Sequence, residues 1–172
     1  MTKEKQNILI RKMELQDVPR ISKMFVEQGW APRDMVLENY VKEQNEGIRI
    51  GFVAEIENQI AGYVTLMILA KHGPFANIYP EVSDFNVFEK YQKLGIGNQL
   101  LDEVEKEAKT ISEIITLGVG LHKGYGPAQR IYVKRGYIPD GTGVWYQNKN
   151  IDNNESCFND DDLALYLSKK LN

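Results

Sequence analysis

The sequence predicts an α/β fold, and three patterns support this prediction. Two runs rich in Ile, Val, Phe and Tyr, residues 49–56 and 59–69, are separated by the dipeptide Glu57-Asn58, which is typical of a β-hairpin. Apolar residues recur at helical spacing over residues 100–108, with Asp, Glu and Lys between them, as in an amphipathic helix. Strand, loop and helix patterns then alternate over residues 81–136, which indicates a sheet flanked by helices.

A short strand and two helices are predicted ahead of the hairpin. Ile8–Met13 is a β-like run, and Asp17-Val18-Pro19 places a proline in a first helical turn, where its missing N–H costs little. Gly29 marks the expected end of this helix, because glycine readily adopts the conformation that terminates helices. A second helix is predicted over Arg33–Glu43, with its apolar residues on one face.

The elements after the hairpin are predicted from the same kinds of pattern. Besides the amphipathic helix, they are a strand at 81–88, a strand at 114–119, a helix from Pro127 to Gly136, and strands at 143–147 and 163–167. A long polar loop is expected between the last two strands, over residues 148–162.

Composition excludes several classes of protein. The chain has 172 residues and no linker or repeat, so a single domain over residues 1–172 is predicted. Its formal net charge is −3, so the protein is not expected to bind nucleic acid. The longest near-apolar run, Ile60–Ala70, is far shorter than the about 20 apolar residues that span a bilayer. The polar start, Met1–Asn7, lacks the apolar core of a signal peptide, and the lone Cys157 cannot form an internal disulfide, so a cytoplasmic location is expected. No Cys/His cluster has zinc-ligand spacing, so no metal is expected.

The stretch Val87–Asn98 is the most informative for function. A strand runs into a glycine-bearing loop that opens directly into a helix, and the first turn of a helix offers free N–H groups and the positive end of its dipole. Gly95 and Gly97 remove side chains where phosphates would approach the backbone, and Lys93 adds a charge at the rim. The stretch therefore predicts a diphosphate site. The alternative is that the glycines only permit a tight turn between strand and helix.

Four segments in order resemble the GCN5-related N-acetyltransferase (GNAT) family. They are the strand at Val82–Phe88, the loop Gln92-x-x-Gly95-x-Gly97, the strand at Ile114–Val119 and the helix end Ala128-x-x-x-Tyr132-x-x-x-Gly136-Tyr137. The family loop reads Arg/Gln-x-x-Gly-x-Gly/Ala, and its later helix commonly ends Leu-Tyr-x-x-x-Gly-Phe. The match covers residues 81–137 most strongly, and the order of the upstream elements is also similar to that of the family.

The resemblance implies a fold and a co-substrate. The fold is a mixed, mostly antiparallel twisted sheet flanked by helices, with acetyl-CoA at the splay between two parallel central strands, 81–88 and 114–120. The whole chain would form one acyl-CoA N-acyltransferase domain. The residues that the resemblance assigns to acetyl-CoA binding are Phe85, Asn86, Val87, Gln92, Lys93, Leu94, Gly95, Ile96, Gly97, Asn98 and Ala128.

The expected reaction transfers an acetyl group from acetyl-CoA to a primary amine by direct attack in a ternary complex. An amine with a pKa of about 10.4 is neutral in only about one molecule in 10³ at pH 7, so the enzyme must accept its proton. Glu81 and Asp84 are the candidate bases on the strand that lines the expected reaction site, and Asp84 has the alternative of pairing locally. The resemblance assigns Tyr132 as the general acid for the thiolate, to be helped by a small downward shift in its pKa or by proton return from solvent. Read without the family, Tyr132 lies on an apolar helix face and is a core residue.

The acceptor is a small-molecule amine in the favoured interpretation, while an amino sugar or a protein amine would use the same loop. Trp30 falls between the first two helices, where it could contact the amine through its ring or only plug an apolar gap. The runner-up function is a non-catalytic acyl-CoA binding or sensing module, and a third is a nucleotide-binding domain of Rossmann type. A homodimer is common among such domains.

Overall fold

The computed structural model describes residues 7–172. In chain order its elements are β1 (Ile8–Lys12), α1 (Asp17–Glu27), α2 (Asp34–Asn45), β2 (Arg49–Ile56), β3 (Gln59–Met67), β4 (Glu81–Val87), α3 (Ile96–Lys109), β5 (Ile114–Gly120), α4 (Gly126–Lys134), β6 (Ile138–Tyr146), β7 (Lys149–Asn150) and β8 (Leu163–Lys170). Single 3-10 turns lie at Glu89–Tyr91 and Lys123–Tyr125. The prediction that Met1–Asn7 is not a signal peptide concerns a segment of which residues 1–6 lie outside the described part.

The strands form one mixed sheet, as predicted. Their order is β1-β2-β3-β4-β5-β8-β6-β7. The pair β4 and β5 is parallel, with Glu81 opposite Thr116 and Val82 opposite Leu117, whereas β1–β2, β5–β8, β6–β8 and β6–β7 are antiparallel. The predicted α/β class with a mostly antiparallel sheet and one parallel pair is therefore confirmed.

The chain divides into two compact units that are discontinuous in sequence. The first contains the described residues up to Leu66 together with Asp84–Lys106, and the second contains Met67–Ser83 and the residues from Glu107 onward. The prediction of a single domain over residues 1–172 concerns folding as one body and stays a prediction.

The first unit is organised around the side chains of α1 and α2 and the strands beside them. Its buried cluster is Met13, Val18, Ile21, Met24, Phe25, Leu37, Val41, Val53, Ile60, Tyr63 and Phe88. The predicted apolar stripe of α3 is confirmed, because Leu100, Leu101 and Val104 are fully buried. This core fixes the start of α3 and the end of β4, which flank the glycine-bearing loop.

The second unit is built on β5 and its antiparallel partner β8. Their register runs from Ile114 opposite Lys170 to Gly120 opposite Ala164, so β5 is paired along its whole length. Apolar side chains of both strands are buried, among them Ile115, Leu117 and Leu167. The strand pair therefore forms the central part of the second unit's sheet.

Several predicted boundaries were wrong in ways that have physical causes. Strand β6 begins at Ile138 rather than residue 143, and the register shifts between Pro139 and Val144. Gly141 and Gly143 have φ of 91° and 80°, values that glycine adopts without strain, so the strand continues through residues that usually end one. Strand β8 extends past residue 167 to Lys170, and β7 lies inside the stretch that was predicted to be loop.

Among residues 7–172, each helix is too short or too polar to cross a bilayer.

Candidate active site

The glycine-bearing loop leads from the end of β4 into α3. After the 3-10 turn at Glu89–Tyr91, Lys93 has φ of 65° and Gly95 has φ of 83°, so two residues of this short loop are in left-handed conformations. Residues 92–95 are exposed, and a Cβ added at Gly95 would have no heavy atom within 4 Å. Because the first N–H groups of α3 have no partner within the helix, the loop presents backbone donors to open space. This geometry suits a phosphate group.

The loop is held at its start by three hydrogen bonds within the first unit. The Gln92 side chain donates from Nε2 to the Val87 carbonyl over 3.1 Å, which ties the loop back to the end of β4. The Phe88 N–H donates to the Ala61 carbonyl over 3.0 Å. The Glu89 N–H donates over 2.6 Å to Oε1 of Gln28, the residue that follows α1. The loop is therefore positioned by both the sheet and a helix.

Strands β3 and β4 approach each other closely at Gly62. A Cβ placed there would lie 2.6 Å from the Asn86 carbonyl oxygen and 3.2 Å from the Val87 Cα. Real Cβ atoms do not come this close to backbone, so only glycine allows β4 to lie where it does. The strand assigned by resemblance to the pantetheine arm of acetyl-CoA thus owes its position to Gly62.

Asp84 lies within β4 and is surrounded by donors. Its φ of 53° is unusual for a residue within a strand. Tyr63 donates to Oδ1 over 2.9 Å, and Tyr40 donates to Oδ2 over 2.8 Å. Arg33 donates from Nη1 to Oδ1 over 3.1 Å, and its Nη2 lies 2.9 Å from Oδ2. Both oxygens of the Asp84 carboxylate are engaged by this group, which we call the Asp84 cluster: Arg33, Tyr40, Tyr63 and Asp84.

The electrostatics of the Asp84 cluster keep its tyrosines protonated. Burial, reinforced by the negative charge of Asp84, raises the pKa of Tyr40 to about 12. Burial also raises the pKa of Tyr63 well above its ordinary value, again with a contribution from Asp84. Burial alone would lower the pKa of Arg33, but the hydrogen bond and charge of Asp84 and the nearby Tyr63 outweigh it, so the net shift is upward. Both phenols remain donors and the guanidinium remains charged.

A buried ion pair lies behind Tyr40 and continues the cluster. Arg49 places its Cζ 4.0 Å from the centre of the Tyr40 ring, a cation–π contact. Its Nε donates to Glu43 over 2.7 Å, and its Nη1 donates to Thr65 over 2.6 Å. Because Arg49 and Glu43 are both buried, Tyr40 is held from behind by a satisfied ionic pair.

Trp30 is half-exposed at the end of the turn after α1. Its side chain is 53% exposed, and its ring centre lies 5.8 Å from that of Phe25 at a tilt of 40°. A ring with this exposure does not fill a gap in the core, so the interpretation of Trp30 as an apolar plug is wrong. About half of the side chain is therefore accessible to a ligand or to solvent.

The second unit holds the other candidate residues. Tyr132 lies in α4, is 6% exposed, and packs edge-to-face on Tyr137 with ring centres 5.8 Å apart. Burial raises the pKa of Tyr132 well above that of a free tyrosine, and Tyr125 adds to the rise. The small downward shift considered for this residue is therefore contradicted. Ala128 lies one turn earlier in α4, and Glu81 begins β4 with partial exposure.

The structure groups part of the candidate set and leaves part separate. Within the first unit it brings together Asp84, Phe85–Val87 and the loop 92–98, with Trp30 on the same unit. Glu81, Ala128 and Tyr132 belong to the second unit. Arg33, Tyr40 and Tyr63 were missed as site residues, because they lie 51, 44 and 21 positions from Asp84 and no local spacing connects them. Among residues 7–172, no three His, Cys, Asp or Glu side chains are grouped to hold a metal ion.

Comparisons with known proteins agree on one family. The model of the acetyltransferase (GNAT) domain matches residues 47–139, just over half of the chain. CT2212, an uncharacterized N-acetyltransferase of Chlorobaculum tepidum, is 25% identical over 163 residues, which span 91% of this chain and 93% of that protein.

Solved structures share the fold at low sequence identity. A GNAT-family acetyltransferase from Streptococcus pneumoniae superposes with a TM-score of 0.69 at 16% identity, covering 96% of this chain and 100% of that one. YncA of Salmonella typhimurium, whose structure contains its cofactor acetyl-CoA, superposes with a TM-score of 0.68 at 18% identity, covering 96% and 94%. Since the family model spans more than half of the chain, this protein belongs to the GNAT family of acetyltransferases.

Proposed function

We propose that this protein is an acetyl-CoA-dependent N-acetyltransferase that acetylates a primary amine by direct attack in a ternary complex. The observation that carries the proposal is the exposed loop 92–95 at the start of α3, with Gly95 in a left-handed conformation and open space around it. Membership of the GNAT family and the similarity to YncA, which was solved with acetyl-CoA, support it.

The first unit would hold the co-substrate. Backbone N–H groups within residues 93–97 and the positive end of the α3 dipole would bind the diphosphate, and the exposed Lys93 would add a positive charge. Gln92 and Asn98 are the proposed binding residues at the two ends of this loop. The backbone of Phe85–Val87 would pair with the pantetheine arm, and Ala128 is the remaining residue that we propose to contact acetyl-CoA. Acetyl-CoA supplies the activated thioester, so no residue of the chain needs to become acylated.

Of the two candidate bases, Glu81 is the one we propose. Asp84 already accepts hydrogen bonds from Arg33, Tyr40 and Tyr63, so both of its oxygens are occupied by protein donors. Glu81 is partly exposed, and its charge contributes, after burial, to the raised pKa of Tyr166. It would take the ammonium proton directly or through water.

Tyr132 is proposed as the donor to the departing thiolate. Its raised pKa keeps the hydroxyl protonated throughout the neutral range, which suits a hydrogen-bond donor. The same shift makes full proton transfer to a thiolate, whose acid has a pKa of about 8.5, unfavourable. We therefore assign Tyr132 the stabilisation of the thiolate by a hydrogen bond, with the proton returned from solvent.

Trp30 is proposed to contact the acceptor, because about half of its side chain is exposed. The favoured acceptor is a small-molecule amine, and a cationic or apolar part of it would pack on this ring.

Calorimetric titration with acetyl-CoA tests the co-substrate site, with NAD and ATP as controls. We expect micromolar binding of acetyl-CoA alone. Gly95→Ala should weaken that binding at least tenfold, because a methyl group enters the loop and the left-handed conformation becomes strained. Gly47→Ala is the matched control, since Gly47 has φ of 72° and similarly open surroundings in another turn. Equal affinities of the two variants would refute the assignment of the loop.

An amine screen that follows thiol release tests catalysis. Tyr132→Phe should lower turnover at least tenfold while the affinity for acetyl-CoA stays near that of the wild type. Unchanged turnover would remove Tyr132 from the mechanism. Binding of acetyl-CoA with no turnover of any amine would instead favour the non-catalytic binding module.

A further inference from the structure

Arg33 uses only one edge of its guanidinium group within the Asp84 cluster. Its Nη1 and Nη2 face the two oxygens of Asp84, and Nη1 also donates to the Tyr63 hydroxyl over 2.5 Å. Within residues 7–172, no acceptor contacts Nε, so the other edge, formed by the Nε–H and the second N–H of Nη2, has both of its N–H groups available to a ligand. The Arg33 side chain is 28% exposed, which leaves it within reach of a ligand.

Arg11, in the same unit, has protein partners on both edges of its guanidinium group and serves as a comparison. Arg11 places Nη1 and Nη2 on the two oxygens of Asp17, each over 2.7 Å, just as Arg33 faces Asp84. Its remaining edge is occupied, because Nε donates to Glu55 over 3.0 Å. Arg11 therefore bridges two carboxylates, whereas Arg33 holds one.

We propose that Arg33 recognises a carboxylate on the acceptor, so that the acceptor is an amino acid or another amine that carries a carboxylate. The two parallel N–H groups of an arginine edge match the two oxygens of a carboxylate, and such charge-assisted pairs are stronger than neutral hydrogen bonds. This inference rests on the proposed function, since it names the substrate class of that site.

The surroundings of Arg33 agree with a place in acceptor binding. Its Cζ lies 5.3 Å from the centre of the Phe25 ring, the same ring on which Trp30 packs. Arg33 and Trp30 both lie in the turn between α1 and α2, and both contact the ring of Phe25 in α1. Asp84 connects Arg33 to β4, directly before the residues that we assign to acetyl-CoA. Asp84 balances the charge of Arg33, and a zwitterionic acceptor has no net charge of its own.

Nuclear magnetic resonance of protein labelled with ¹⁵N-arginine tests the proposal without requiring turnover. The Nε–H signal of Arg33 is assigned by its loss in Arg33→Lys, and the Nε–H signal of Arg11, whose Nε is already occupied, is the internal control. The protein, saturated with desulfo-CoA, is titrated with the standard amino acids one at a time, with their decarboxylated amines and with acetate. We expect a saturable shift of the Arg33 signal with at least one amino acid, and with neither its amine nor acetate at equal concentration.

Three results would overturn the proposal. The first is the absence of any shift at Arg33 across the amino acids, and the second is a shift that acetate produces equally. The third is a shift produced by desulfo-CoA alone that no amino acid changes further, which would assign the Arg33 edge to a phosphate of the co-substrate.

Kinetics separates specificity from a merely structural role. For an amino acid acceptor, Arg33→Lys should lower kcat/KM at least tenfold, with most of the change in KM, while the decarboxylated amine is affected less than about threefold. An equal loss with both acceptors would overturn the proposal. Tyr40→Phe removes a donor to Asp84 while leaving Arg33 in place, and it should not change the preference between the two acceptors. Failure of the wild type to bind acetyl-CoA in the calorimeter would instead count against the proposed function.

Discussion

Replacing Gly62 by alanine should destabilise the protein and weaken its acetyl-CoA site. The new Cβ would lie 2.6 Å from the Asn86 carbonyl oxygen, about 0.8 Å inside the distance at which ordinary contacts begin, and 3.2 Å from the Val87 Cα. Neither atom belongs to a flexible side chain, so β4 must move away from β3. Overpacking of this kind costs about 1–3 kcal/mol. The Leu100 side chain, 3.4 Å from the same Cβ, limits relief in its direction.

Urea unfolding measures the first effect and calorimetry the second. We expect the unfolding midpoint to fall at unchanged m-value, with a loss of about 1–3 kcal/mol in the free energy of unfolding. The affinity for acetyl-CoA should fall several-fold, because the residues displaced are those assigned to the pantetheine arm.

Gly126→Ala provides the matched control, because a Cβ there would meet no heavy atom within 4 Å and the residue begins a helix. Its stability should be unchanged or higher by at most about 1 kcal/mol. If Gly62→Ala unfolds at the same urea concentration as the wild type, the close approach of the two strands does not constrain β4 and the reasoning fails.

Two further substitutions test the ion pairs and the loop. Asp17 is fully buried, and although burial alone would raise its pKa, hydrogen bonds from Arg11 and the Glu14 N–H lower it further than burial raises it. The charge of Asp17 therefore stabilises the fold at pH values above about 4, the pKa of an aspartate in the unfolded chain. This stabilisation is lost as the pH falls through the lower pKa that Asp17 has in the folded protein. Asp17→Asn should lose about 2–4 kcal/mol at pH 7 by urea unfolding, with the deficit shrinking below about pH 4, and a deficit that does not depend on pH would contradict this. Lys93→Gly removes a left-handed lysine, so stability should rise by at most about 1 kcal/mol, while acetyl-CoA affinity falls a few-fold at low salt and less at high salt. A loss of affinity that is equal at both salt concentrations would exclude a role for the charge.

The order of the elements could be predicted from the sequence because each depends on local patterns. The hairpin between 49–56 and 59–67 follows from two β-branched and aromatic runs around Glu57-Asn58, and both turn residues adopt the positive φ, 49° and 62°, that tight hairpin turns require. Pro19 in the first turn of α1 was equally legible. Ser168–Lys170 continue β8 with polar residues, which carry no apolar strand pattern, so the predicted strand ends too early, at residue 167.

The candidate site could be predicted from the sequence only where its residues are contiguous. The loop 92–98 could be identified because its glycines precede a helix in the same stretch of chain. The Asp84 cluster could not be found, since its members come from a loop, a helix and two strands, and only the fold joins them. The sequence therefore suggests Asp84 as a base, whereas the structure shows that three donors occupy its carboxylate.

The pairing of β5 has a consequence for biosynthesis. Strand β5 receives its full-length antiparallel partner only when β8, the last strand of the chain, has been made, while its parallel contact with β4 involves only two residue pairs. During translation the β8-facing side of β5 stays open over the synthesis of more than forty residues, and an unpaired strand edge invites association with other chains. A nascent chain halted before Leu163 would thus remain a client for chaperones or proteases, whereas completion of the last eight residues of the sheet closes that edge.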